Sequence, residues 1–192
     1  MIPRNILPLL AGITSVACVL AGCQSPKAVS LAGGGAAREI RNNCYSLLHQ
    51  LLEDQKNVGK LRFIKREEDD VKNLVKKIAA ACGTGSKLLE EFARHDPSIN
   101  LDDIRLPPGE MATREAIAST KKKELLGQTG VKFELSLLLT QSEALSYAWH
   151  LAKVAGESEL QPERARAMAG LSQEMKNLYQ EVFVLLLSKT KS

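Results

Sequence analysis

Along most of the chain apolar residues recur three and four positions apart, the spacing that gathers side chains on one face of an α-helix. Between Arg38 and Val58 they fall at Ile40, Cys44, Leu47, Leu48, Leu51, Leu52 and Val58, and Gly59 supplies a stop. Glu67, Glu68, Asp69 and Asp70 then precede Val71, which suits a first helical turn, because carboxylates there face the positive end of the backbone dipole. The stripe they open is Val71, Leu74, Val75, Ile78, Cys82, Leu89 and Phe92. Gly83 and Gly85 interrupt it and mark a place for a kink or break. His95-Asp96-Pro97 closes it, since the residue before a proline avoids the helical region.

From Asp96 to Glu110 the chain reads as a long connection with Pro97, Pro107, Pro108 and Gly109, pinned by Ile99, Leu101, Ile104 and Leu106 and crossing from one end of a bundle to the other. A third helical region starts near Thr113, whose hydroxyl suits a cap. It runs to Leu126, pauses from Gly127 to Gly130, and resumes from Val131 to Ala155 with Phe133, Leu137, Ala144, Ala148, Leu151 and Ala155 on one face. Pro162 fits the first turn of a last helix, where its missing N–H matters least. There Met168, Leu171, Met175, Leu178, Val182 and Leu185 alternate three and four apart, as in a helix packed lengthwise on others. Alternating runs of strand length hardly occur. The expected fold class is all-α, and the specific expectation is an up-and-down four-helix bundle.

Composition changes this picture little: among 192 residues 44% are hydrophobic and 25% charged, as in one ordinary globular domain. Charge excludes more. The 26 Lys and Arg nearly balance 22 Asp and Glu, the net +4 is spread along the chain, and 4% of residues are aromatic, so neither a basic face nor a stacking platform for nucleic acid is present.

The first residues depart from the helical pattern. Arg4 stands beside the amino terminus, followed by an apolar run from Ile6 to Leu20 that is shorter than the roughly 20 residues of a permanent membrane span. The run ends Leu20-Ala21-Gly22-Cys23, which resembles a bacterial lipoprotein lipobox. The resemblance implies a signal peptide over 1–22, cleavage before Cys23, and acylation of that cysteine, the lipid being the protein's membrane partner. Several acyl chains on one residue give stable attachment. Gln24 in place of Asp favours, by analogy with enteric sorting, the outer membrane facing the periplasm. Residues 23–37, with Pro26 and Gly33 to Gly35, read as a flexible tether with an r.m.s. reach of about 20 Å, ahead of a helical domain over 38–192.

Phe133-Glu134, Leu137 to Gln141, Glu143 to Ala148 and His150-Leu151 give the body a layout similar to ferritin-like helical bundles of bacterial envelope lipoproteins. Those families bring no established activity, and the Glu-x-x-His that a di-iron site needs does not occur in the chain. The remaining candidates are the i,i+4 pairs His49 with Glu53 and Glu91 with His95, together with Glu143, Tyr147 and His150 on one face of the third helical region. For Glu143 and His150 as metal ligands the competing reading is a polar edge satisfied by hydrogen bonds. No catalytic residue and no cofactor is expected. Gly83-Thr84-Gly85-Ser86 lacks the downstream Gly-Lys of a phosphate loop, and Lys121 to Lys123 read as solvated surface, with binding to acidic headgroups or cell-wall polymers as the sharper alternative.

With Cys18 removed and Cys23 acylated, Cys44 and Cys82 are an even pair in an oxidising compartment. If the first two helices form an antiparallel hairpin turning near Phe63, these cysteines lie opposite each other and are candidates for a disulfide; two buried free thiols are the alternative. Two function classes follow: a lipid-anchored, non-catalytic helical module that binds an envelope protein or cell-wall partner or supports the envelope, or a ferritin-like metal or redox enzyme with an atypical site.

Overall fold

The computed structural model describes residues 34–57 and 68–190. They form five α-helices and no strand: α1 (Gly34–Lys56), α2 (Asp69–His95), α3 (Pro108–Gly127), α4 (Gly130–Glu157) and α5 (Pro162–Lys189). The all-α expectation holds. The signal peptide, Cys23, Gly59 and the turn near Phe63 lie outside the described residues.

Helix ends follow local chemistry. Pro108 and Pro162 each occupy the first turn of their helix, where no backbone N–H is required. Asp69 and Asp70 open α2, and α2 ends at His95 ahead of Asp96-Pro97. Gly130, at φ 59°, takes the left-handed conformation that turns the chain from α3 into α4. Three boundaries differ from expectation. Helix α1 begins at Gly34, so residues 34 to 37 of the segment read as tether are helical. Helix α3 begins at Pro108, and the Thr113 hydroxyl donates to the Gly109 carbonyl at 2.7 Å from inside the helix instead of capping it. Helix α2 runs unbroken through Gly83 and Gly85.

The reason for Gly85 is close approach. A Cβ there would stand 2.9 Å from Leu171 Cδ1 and 3.0 Å from Leu52 Cδ1, so the missing side chain is what lets α1 and α5 close on α2. At Gly83 a Cβ would meet only the Lys56 methylenes at ordinary contact distance.

Helix α1 packs on α2 and α4, α5 packs on α4 and α2, and α3 packs on α4. Cross-helix partners give the directions. Arg41 reaches Ser98 and Glu159, and Arg164 reaches Asp96, at one end of the molecule; Glu68, Glu134 and Lys189 meet at the other. Each helix of the set α1, α2, α5, α4 is therefore antiparallel to the two it touches. Helices α2 and α4 run the same way, and the chain must return between them. The connection after Asp96 and α3 make that return, with Ile99 buried and Leu101, Ile104 and Leu106 against the core, as expected.

The core joins the stripes read from the sequence: Leu48 and Leu52 of α1, Val71, Val75, Ile78 and Leu89 of α2, Phe133, Leu137 and Ala148 of α4, and Met168, Met175, Leu178 and Val182 of α5. At about 25 cal/mol per Å² of apolar surface, their burial is the main term favouring the fold. Helix α3 contributes one buried residue, Leu125.

The register of α1 on α2 overturns the expected hairpin. Gly83 faces Lys56, Ser86 bonds Glu53, Glu90 approaches His49, and Tyr45 meets the Phe92 ring with centroids 6.0 Å apart. Cys82 thus lies level with the C-terminal end of α1, about 12 residues from Cys44, or about 18 Å along the axis at 1.5 Å per residue. A disulfide needs α-carbons within about 7 Å. Both thiols are free and buried, and burial pushes Cys44 up to about 11 and Cys82 up to about 12, which suppresses the reactive thiolate. The symmetric hairpin fails because α2 runs past the end of α1 and packs on α5 as well.

Two measurements check this description. Gly85→Ala should lower stability by about 1 kcal/mol, because two buried leucines must move, whereas Gly83→Ala should raise it by about 0.5 to 1 kcal/mol in denaturant titrations. Mass mapping of unreduced protein should recover the Cys44 and Cys82 peptides unlinked.

Candidate functional site

Three polar constellations stand out against the apolar core. The first closes the end where α1 begins. Glu159, in the turn between α4 and α5, has a fully buried carboxylate. It accepts from the Tyr45 hydroxyl at 2.7 Å, from the backbone N–H of Leu160 and Gln161 at 2.8 and 3.0 Å, and from Arg41 and Arg164 at 3.4 and 3.2 Å. Burial raises the Glu159 pKa, but the Gln161 N–H, the Tyr45 hydroxyl and the two guanidiniums outweigh it and hold the carboxyl below its ordinary range. Arg164 also donates to Asp96 at 2.8 Å, and its guanidinium lies over the Phe92 ring. This assembly ties α1, α4, α5 and the end of α2 together with its hydrogen-bonding capacity largely used, and it reads as structural.

The opposite end is closed by Lys189, which meets Glu68 at 2.5 Å, Asp70 at 3.2 Å and buried Glu134 at 3.3 Å. Burial opposes the charge on Lys189, yet its three carboxylate partners raise its pKa.

The third constellation lies on the outer seam of α1 and α2. His49 and Glu53 stand one turn apart on α1; Ser86 and Glu90 stand one turn apart on α2 and face them. His49 Nε2 is 3.5 Å from Glu90 Oε1, and Glu53 Oε1 accepts from Ser86 Oγ and from Lys56 Nζ, each at 2.5 Å. Lys56 and then Ser86 hold the Glu53 carboxyl below its ordinary range. Among the described residues this is the one group of three or more His, Cys, Asp or Glu side chains whose ligand atoms all lie within 4.8 Å of one another.

The His49–Glu53 pair was visible in the sequence; Glu90 and Ser86, which complete it, were not, because only the hairpin register brings them across. The Glu91–His95 pair is not made: His95 Nδ1 lies 2.8 Å from the Glu91 backbone carbonyl instead. Glu143, Tyr147 and His150 do share a face and line a shallow groove with Ser142, Ser146 and Tyr179. They do not gather as ligands. Glu143 pairs with Lys121, the Tyr147 hydroxyl accepts from Arg114 at 2.9 Å, and His150 Nδ1 lies 2.7 Å from the Ser146 carbonyl. Glu143, Tyr147 and His150 thus stand on a polar edge whose groups are engaged locally. Lys121, read as free surface, is tied into that edge.

A larger groove of about 750 Å³ opens where α3 lies across α1 and α4. Leu51, Ile117, Leu125 and Ala144 supply its apolar wall, and Arg114 and Lys121 stand on its rim. No protein-family model, curated protein or solved structure matches the chain, so the reading of these sites rests on their own chemistry.

The end-closing network predicts an acid dependence. Ser98, with Arg164, lowers the Asp96 pKa from 3.8 to about 2. A carboxylate with a depressed folded pKa contributes stability above its unfolded value and loses it as pH falls through the folded one. Asp96→Asn should therefore cost about 1 kcal/mol at neutral pH, after allowance for solvent screening, and flatten the loss of stability between about pH 4 and 2. Chemical denaturation at a series of pH values reads both effects.

Proposed function

We propose that the protein is a membrane-anchored bacterial lipoprotein whose helical body is a non-catalytic module that binds a partner in the envelope or supports the envelope. The observation that carries this reading is the Leu20-Ala21-Gly22-Cys23 run behind the short apolar segment Ile6 to Leu20. Acylated Cys23 holds the protein on the membrane, and Gln24 directs it to the outer membrane with the body in the periplasm. No described helix is long and apolar enough to cross a membrane, so the lipid is the anchor in this reading.

The finer architecture belongs to the same proposal. Helices α1, α2, α5 and α4 make a four-helix bundle with ferritin-like connectivity, in which α3 lies in the long crossover that lets α2 and α4 run parallel, where a simple up-and-down order would oppose them. Its support is the set of antiparallel contacts around those four helices and the parallel course of α2 and α4. The binding role draws on the groove beneath α3, whose apolar wall and mixed rim of Arg114, Lys121, Asp54 and Glu143 suit an amphipathic segment of an envelope partner. A second reading, a metal-dependent or redox enzyme, draws on His49, Glu53 and Glu90.

Replacing Cys23 by Ser tests the anchor. The variant should accumulate as an uncleaved or mislocalised precursor, seen by mass and by membrane fractionation. Normal cleavage and soluble release would overturn the lipoprotein reading.

A further inference from the structure

We propose that His49, Glu53 and Glu90 form a divalent transition-metal site that fastens α1 to α2, a role that goes beyond the anchored module and does not depend on it. Three observations carry the inference. The ligand set is one imidazole and two carboxylates, the N and O donors that zinc and its neighbours take, with three protein ligands leaving a position for water. Next, the spacing is already near that of a metal shell. Ligands about 2.1 Å from a tetrahedral ion stand about 3.4 Å from one another, and His49 Nε2 lies 3.5 Å from Glu90 Oε1, with all three ligand atoms inside 4.8 Å. Third, His49 Nε2 is buried and makes no hydrogen bond, its neighbour Glu90 Oε1 standing 3.5 Å away. A metal ion seated between that nitrogen and Glu90 would take both as ligands.

The surroundings favour a cation and admit one. Two carboxylates face a single ammonium, that of Lys56, so the cluster keeps a net negative charge when the imidazole is neutral. Ser86 is buried and its hydroxyl orients Glu53, the supporting contact that fixes a ligating carboxylate. Glu90 is about half exposed, so an ion enters from solvent without opening the core. Binding draws Glu53 off Lys56, whose ammonium is free to turn outward.

The site differs from the face of α4 that carries Glu143 and His150, and this separates the two by experiment. Untagged full-length protein in detergent is titrated with zinc chloride alone by calorimetry, and its thermal unfolding is followed with and without zinc. One equivalent should bind, and zinc should raise Tm by about 5 °C at saturating concentration. Glu90→Gln and His49→Gln, each compared with its own metal-free melt, should each weaken binding at least tenfold and abolish the rise in Tm, whereas His150→Gln should leave both intact. Absence of saturable binding, or binding and a rise in Tm that survive both His49→Gln and Glu90→Gln, would overturn the site.

Discussion

A charge taken out of water must be met by partners in fixed places, and the buried carboxylate of Glu159 imposes that demand on the whole fold. Its oxygens are reached from α1 by Arg41 and Tyr45, from α5 by Arg164, and from its own turn by two backbone N–H groups. The two α1 donors lie more than 110 residues from Glu159 in sequence, so the carboxylate has its full set of partners only when the helices are assembled. Loss of one partner would strand the rest, at a cost of about 3 to 5 kcal/mol for a buried pair. Apolar burial supplies the driving force, which is non-directional; the ionic end decides which helix lies beside which.

The other end repeats the logic with the sign reversed, a nearly buried ammonium at Lys189 surrounded by carboxylates from α2 and α4. Between the two ends the packing is apolar and the limit is shape. Gly85 sits where Leu52 and Leu171 converge, and its missing side chain sets how closely α1 and α5 approach α2. The register that satisfies both ends also slides α2 past α1, which places Glu90 beside His49 and carries Cys82 away from Cys44.

Helix existence was legible because the apolar stripes are long and regular, and proline and glycine marked most boundaries. Residues 34 to 37 escaped because glycine and alanine are as common in tethers as at a frayed helix start. The course of the chain from Asp96 across the molecule was legible in its prolines and its four spaced apolar anchors. Register was not: an apolar stripe repeats every turn, so a hairpin slid by three or four turns looks equally good from the pattern, and only polar pairs such as Ser86 with Glu53 tell the alternatives apart. For the same reason half of the His49 cluster was visible, the half that lies on one helix. Arg41, Glu134, Glu159 and Arg164 were hidden because charged residues are ordinarily surface residues, and burial of a charge is decided by its distant partners.

Helix α3 stands apart from this order. It rests on α4, buries one residue, and is the sole described covalent route from the α1–α2 pair to the α4–α5 pair. Yet the two pairs do not depend on that route to stay together, since α1 lies against α4 and α2 against α5, with ionic ties at both ends. Continuity of the chain and cohesion of the fold are thus assigned to different parts. Amides of α3 would exchange with solvent in openings too small to disturb the core. A protease that cut there would leave two fragments still associated, each supplying the charges the other needs.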